Sequence, residues 1–130
     1  MSTHYCGELI VFGGKTTLEI MREAQRRLEA VSGKTRSFSV DNVVDVFFGV
    51  RDDAAYRQIG CRGLVLDDLM EIAARNQQFA ISFSTQGGYP DYLARYLVDK
   101  IAPIDPTVKI KLDCVGDGIH KHKETILPRA

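Results

Sequence analysis

The stretch ELIVFGGKT, residues 8–16, decides the fold, because an apolar strand pattern ends there in two glycines and continues as an amphipathic helix pattern. The stretch ISFSTQGGYP, residues 81–90, repeats the arrangement. A helix N-terminus has unpaired N–H groups, and glycine lets an anion approach them. The two junctions therefore predict candidate ligand-binding residues, which are Gly13, Gly14, Lys15, Thr16, Thr85, Gln86, Gly87 and Gly88. Sharp turns also use glycine without a ligand, and we favour that simpler interpretation.

The segment FGGKT, residues 12–16, is similar to the end of the phosphate loop G-x-x-x-x-G-K-[ST]. The first glycine of that motif would fall on Leu9, inside the strand, so a full cradle of N–H groups cannot form. We exclude an ATPase on this ground. A looser contact with a phosphorylated molecule or nucleotide is an alternative hypothesis. It requires both junctions at one edge of the sheet, as they would be if the two strands ran parallel.

Hydrophobic periodicity predicts the other elements. A first strand covers about Tyr5–Phe12, and a helix runs from a Thr16–Glu19 capping box to Ser32. Alternation over Ser37–Val50 indicates strand structure, and Asp41-Asn42 in its middle is either a hairpin turn, which we favour, or a bulge.

The second half of the chain has a similar pattern. The pattern suggests a short strand over Arg62–Leu66, and Asp67 or Asp68 is expected to cap a short helix whose buried stripe is Leu69, Ile72 and Ala73. Further along, the pattern predicts a strand over Phe79–Thr85, a helix over Tyr89–Ala102 and a strand over Thr107–Val115. Gly116–Gly118 then turns the chain into a polar C-terminal tail, residues 119–130.

This order predicts a single α+β domain over residues 1–118. We expect a ferredoxin-like two-layer sandwich with a mixed or antiparallel sheet, helices on one face and one extra helix. Lys+Arg and Asp+Glu both total 17, so the formal net charge is +0, which argues against nucleic acid as the main partner and favours self-association as well. Three widely spaced cysteines without a CxxC motif, and no apolar run of membrane-spanning length, predict a cytoplasmic protein without a membrane partner.

Candidate partner-binding residues lie on the two longer helices. Arg22 and Arg26 belong to a modest basic patch, and Tyr92 and Tyr96 are i,i+4 neighbours suited to anchoring an interface. A solvated face and packing against the sheet are the simpler interpretations. The pairs His4/Cys6 and His120/His122 suggest a metal-dependent hydrolase, but their spacing matches no zinc module, and we predict no metal, no cofactor and no catalytic set.

Two segments resemble the ferredoxin-like domain of small phage- and plasmid-borne proteins. They are HYCGELIVFG, residues 4–13, and residues 81–118 with their strand, proline-started helix, strand and Gly-Asp-Gly. The chain departs from that pattern at His4-Tyr5, where a Trp is expected before Cys6, and at Gly7-Glu8, where an Asn usually follows. The resemblance implies an accessory protein of a mobile element, and it transfers no catalytic residues.

The residues and the resemblance together predict a small non-catalytic interaction protein. Its partner would be another protein, as for a phage or plasmid accessory factor or a modulator of host defence. The alternatives are the anion-binding module at the Gly-Gly turns and the metal-dependent hydrolase.

Overall fold

The computed structural model describes residues 3–32, 47–49, 64–72 and 78–129. Within them the protein is α+β, with two helices and five strands. The helices are α1 (Lys15–Ser32) and α2 (Asp91–Ile101). The strands are β1 (Tyr5–Phe12), β2 (Val65–Glu71), β3 (Gln78–Thr85), β4 (Lys109–Gly116) and β5 (His120–Ile126).

The strands form one antiparallel sheet in the order β2-β3-β1-β4-β5. Tyr5 pairs with Thr85 and Phe12 pairs with Gln78, so β1 and β3 run in opposite directions. The parallel arrangement considered for these strands is therefore wrong. The two Gly-Gly junctions lie at opposite ends of the sheet, separated by roughly 24 Å of strand.

Both helices pack on the same face of the sheet. The odd-numbered residues Leu9, Val11 and Ile81 and the even-numbered Ile110 and Leu112 are buried there, as the strand register requires. Helix α1 contacts β2 and β3, and α2 contacts β4 and β5. The opposite face, which we call the open face, carries the even-numbered residues of β1 and β3 and the odd-numbered residues of β4 and β5.

Strand β2 replaces the short helix predicted after Asp67-Asp68. The register shifts between Leu66 and Asp68, so that Leu66 and Leu69 both point into the core although they are three positions apart. A bulge of this kind adds one residue to a strand and gives inward side chains a helix-like spacing. The predicted extra helix is thus wrong over Leu69–Glu71, whereas the short strand predicted over Arg62–Leu66 overlaps β2 at Val65 and Leu66.

Strand β5 lies within the segment predicted to be a polar tail. It pairs with β4 through a tight turn in which Asp117 and Gly118 have φ values of 51° and 75° and the Ile119 N–H donates to the Gly116 carbonyl at 3.1 Å. Asp-Gly favours such hairpin turns because both residues tolerate positive φ. The tail prediction is wrong for His120–Ile126, whose polar composition suits an edge strand.

The other predicted elements have mixed outcomes. The strands at β1, β3 and β4 and the helices at α1 and α2 are confirmed within two residues. The hairpin at Asp41-Asn42 and most of Ser37–Val50 lie outside the described residues. Within that stretch Phe47 and Phe48 are helical and the Phe47 side chain is buried, so the strand prediction is wrong there. Neither described helix has the length and apolar character needed to cross a membrane.

Candidate functional site

The N-terminus of α1 holds an anion from the chain itself, the carboxylate of Asp105. The Gly14 N–H and the Thr17 hydroxyl donate to its Oδ2 at 2.7 and 2.5 Å. The N–H and the hydroxyl of Thr107 donate to Oδ1 at 3.0 and 2.5 Å. The Thr107 and Thr17 hydrogen bonds are the main reason that the pKa of Asp105 falls to about 2. The place predicted for a ligand anion beside Gly13–Thr16 is therefore filled by Asp105, which is only 7% exposed.

The second Gly-Gly junction forms a turn with its own internal contact. Gly88 has a φ of 82°, which favours glycine, and the buried Thr85 hydroxyl donates to the Gly88 carbonyl at 3.4 Å. Gln86 is exposed beside this turn. The structure does not bring these residues near Gly13, Gly14, Lys15 or Thr16, because the two junctions occupy opposite ends of the sheet.

A cavity of about 540 Å³ opens at the end of the sheet where β1 begins and β3 ends. We call it the end pocket, and its size lies within the range of small-molecule sites. The residues that line it are His4, Tyr5, Cys6, Val65, Ser84, Thr85, Gln86, Asp117 and Gly118. Of the predicted ligand-binding residues it includes Thr85 and Gln86.

The charge of the end pocket does not suit a phosphate group. Asp117 supplies a carboxylate, and the described residues of the lining include no lysine or arginine. Asp117 is held by two hydrogen bonds to His4, since its Oδ1 accepts from the His4 N–H at 2.9 Å and its own N–H donates to the His4 carbonyl at 2.7 Å. One Asp117 oxygen, the Ser84 hydroxyl and the Gln86 amide are suited to hydrogen-bond a neutral or cationic molecule.

Three aromatic rings pack together at the same end of the sheet, on its helix-covered face. The ring centroids of Tyr5, Tyr89 and His122 lie 5.3 to 5.7 Å apart in edge-to-face contacts. These distances are those of rings in direct contact. The Tyr89 hydroxyl donates to Glu124 Oε2 at 3.4 Å, and burial raises the pKa of Tyr89 to about 12. We interpret this cluster as packing that fixes the start of α2.

Asp91, at the start of α2, has one oxygen, Oδ1, that is buried without a hydrogen-bond partner among the described residues. Burial is the main reason that the pKa of this carboxyl is raised, and the negative charge of Glu124 adds to the effect. Asp91 as a whole residue is half-buried, so it is not fully enclosed.

The predicted partner-binding residues do not form one surface. Tyr96 is 7% exposed and packs edge-to-face on Phe48 with centroids 5.7 Å apart, so it belongs to the core. The prediction of Tyr96 as an interface anchor is therefore wrong. Tyr92, in contrast, is 59% exposed. Arg22 pairs with Glu71 at 2.7 Å on the β2 side of the helix layer, away from α2, which contacts β4 and β5. Arg26 forms an exposed pair with Glu23 within α1.

The histidine and cysteine pairs occupy different surroundings. His4 and Cys6 line the end pocket, whereas His122 lies in the aromatic cluster on the helix-covered face of the sheet. Cys114 is buried, which raises the pKa of its thiol to about 11. In the described part of the chain, no group of three or more His, Cys, Asp and Glu side chains could hold a metal ion.

The open face carries a feature that the sequence reasoning missed. Phe12 lies there with the Nζ atoms of Lys109 and Lys111 at 5.0 and 5.3 Å from its ring centroid, within cation–π distance. Met70 is 56% exposed on the same face. Strict alternation in TVKIKLDCV, residues 107–115, placed both lysines on one face, and this signal could have identified the surface.

Comparison of the chain with protein-family models, with curated proteins and with solved structures found no match in any of the three. The resemblance to phage- and plasmid-borne proteins, and the mobile-element role that it implies, therefore stay predictions. Self-association and a cytoplasmic location stay predictions as well.

Proposed function

We propose that this protein is a non-catalytic binding protein that contacts another protein through the open face of its sheet. The observation that carries the proposal is the uncovered face, where Ile10, Phe12 and Met70 are accessible beside lysines. A sheet face that combines apolar side chains with a charged border has the composition of a protein interface. Among the described elements, both helices pack on the other face and neither contacts this one.

Site-specific photo-crosslinking in the native host tests this proposal. A benzophenone side chain replaces Ser82, which lies on the open face, and in a control it replaces Glu19, which is exposed on α1. We expect a crosslinked partner protein from position 82 and none from position 19. A partner captured equally from both positions, or from position 19 alone, would place the interface elsewhere and contradict the proposal.

The end pocket supports a second candidate function, the binding of a small neutral or cationic molecule. Its size and the hydrogen-bonding groups of Ser84, Gln86 and Asp117 favour this function. A thermal-shift screen of small polar metabolites should find stabilising ligands, because a ligand that binds only the folded state raises the unfolding temperature. Ser84→Tyr should fill the pocket and abolish the shift, whereas Ser82→Tyr, on the same strand and face but outside the lining, should retain it. A shift that survives Ser84→Tyr would contradict this candidate.

We also propose a ferredoxin-like fold with one added strand. Two split β-α-β units support it, because α1 connects β1 to β2 with β3 between them, and α2 connects β3 to β4 with β1 between them. Strand β5 is then an addition at the β4 edge. An experimentally determined structure with another strand order would overturn this assignment.

A further inference from the structure

Four lysines on the open face differ in their ion pairing from the arginines of the helix layer. Arg22 pairs with Glu71, Arg26 with Glu23, and Arg95 with Asp99. We call the four lysines the lysine group, and they are Lys109, Lys111, Lys121 and Lys123. None of them forms an ion pair within the described residues. The exposed carboxylates of Glu8 and Asp113 lie on the same face, so the lysine group leaves an excess of two positive charges there for an external anion.

The lysine group forms a line along strands β4 and β5. Lys109 and Lys111 occupy alternate positions of β4, and the line continues on β5 because Asp113 pairs with Lys123 and Val115 pairs with Lys121. Alternate residues of a strand are about 6.8 Å apart, so the four positions span roughly 20 Å in even steps. An extended peptide with an acidic side chain at every second residue has the same spacing.

We infer that the lysine group binds an acidic, extended segment of a partner protein, with apolar side chains of that segment lying against Ile10 and Phe12. The inference rests on the proposed function and names the partner chemistry of the same face. Charge complementarity supports it, because opposite potentials across an interface set the choice of partner.

Single-stranded nucleic acid fits the same cations less well. Base stacking needs an accessible aromatic face, but two lysine ammonium groups lie beside the Phe12 ring, which is the one aromatic ring on the described open face. The formal net charge of +0 also provides no long-range attraction for a polyanion. The acidic protein segment is therefore the better match.

Selection from a random peptide library tests the inference with the full-length protein. Peptides of about 12 residues are selected at about 150 mM NaCl, where weak surface attraction is screened. Dissociation constants of the enriched peptides are then measured by fluorescence anisotropy for the wild type, for K109Q/K111Q and for the control R26Q/K100Q. The control removes two positive charges from the helices and leaves the open face intact. A labelled thymidine oligonucleotide is measured in parallel.

We expect the enriched peptides to contain an excess of Asp and Glu. Their dissociation constants should rise at least about tenfold for K109Q/K111Q and less than about twofold for the control, and the oligonucleotide should bind more weakly than the peptides. Three results would each overturn the inference: no acidic excess, equal binding to both double variants, or tighter binding of the oligonucleotide. If the enriched peptides are neutral and Ile10→Glu abolishes their binding, the proposed function stands and the inference about acidic segments fails. The absence of any enriched peptide would count against the proposed function and the inference alike.

Discussion

Asp105→Asn tests whether the carboxylate at the N-terminus of α1 is a principal stabilising contact. The wild-type carboxylate accepts four hydrogen bonds, from Gly14, Thr17 and Thr107. Asparagine keeps the shape of the side chain but replaces one accepting oxygen with an NH2 group. The two groups that donated to that oxygen then face a donor instead of an acceptor. It also removes the negative charge that the helix dipole stabilises.

The magnitude follows from the pKa of the carboxyl. Folding lowers the pKa of Asp105 from the ordinary value of 3.8 to about 2. This difference corresponds to about 2.5 kcal/mol of stability at neutral pH, and screening by nearby solvent reduces it. We therefore expect Asp105→Asn to lower the free energy of unfolding by about 1–2 kcal/mol and the melting temperature by roughly 4–8 °C.

The pH dependence of stability distinguishes the effect of the Asp105 charge from the effect of its side-chain shape. Because the pKa of Asp105 is lower in the folded state, its stabilisation is complete above about pH 5 and is lost as the pH falls through about 2. Urea unfolding between about pH 7 and pH 2.5 should show the wild type and Asp105→Asn converging as the pH falls. Asp113→Asn, which removes an exposed carboxylate from β4, is the matched control and should change stability by less than about 0.5 kcal/mol. A gap between wild type and Asp105→Asn that stays constant with pH would refute the electrostatic explanation.

Three further predictions concern packing and accessibility. Tyr96→Ala should cost about 3 kcal/mol of stability and Tyr92→Ala less than about 0.5 kcal/mol by urea unfolding, because Tyr96 is in the core and Tyr92 is exposed; equal costs would contradict the assignment. Gly7→Ala should lower the melting temperature markedly, since its Cβ would lie 2.2 Å from a carbonyl oxygen of β4, and an unchanged value would be inconsistent with that close approach. In a short pulse of iodoacetamide read by peptide mass spectrometry, Cys6 should react well before Cys114, whose buried thiol has a pKa of about 11; faster labelling of Cys114 would show that β4 opens.

The sequence predicted those elements whose apolar pattern has a regular period. The strand at Tyr5–Phe12 and the helices at α1 and α2 follow such patterns closely. Strand β2 could not be recognised beyond Leu66 because its bulge places Leu66 and Leu69 on one face at a helix-like separation. Strand β5 has few apolar residues, and it is stabilised by pairing with β4 rather than by local preference. The Asp117-Gly118 pair was the available signal for that hairpin.

The candidate site was harder to predict than the elements, because it depends on strand direction. Gly13 and Gly87 end two strands with the same local pattern, and only the antiparallel pairing of β1 with β3 separates them. Asp105 is distant in sequence from Gly14, so no local pattern indicated that its carboxylate would fill the turn. Predicting the open face would have required knowing which side of the sheet the helices cover.

The central place of β1 has a consequence for how the chain folds during its synthesis. β1 leaves the ribosome before β3 and β4, the two strands with which it pairs. Roughly 100 residues separate Tyr5 from its β4 partner Gly116, which corresponds to roughly 5–20 s of translation. Until β4 is made, β1 can pair only with β3 and lacks its second neighbour, so the nascent chain should depend on chaperones until β4 emerges. A ribosome stalled before β4 would therefore present an incomplete sheet, and protease sensitivity should fall sharply only once Gly116 has left the exit tunnel.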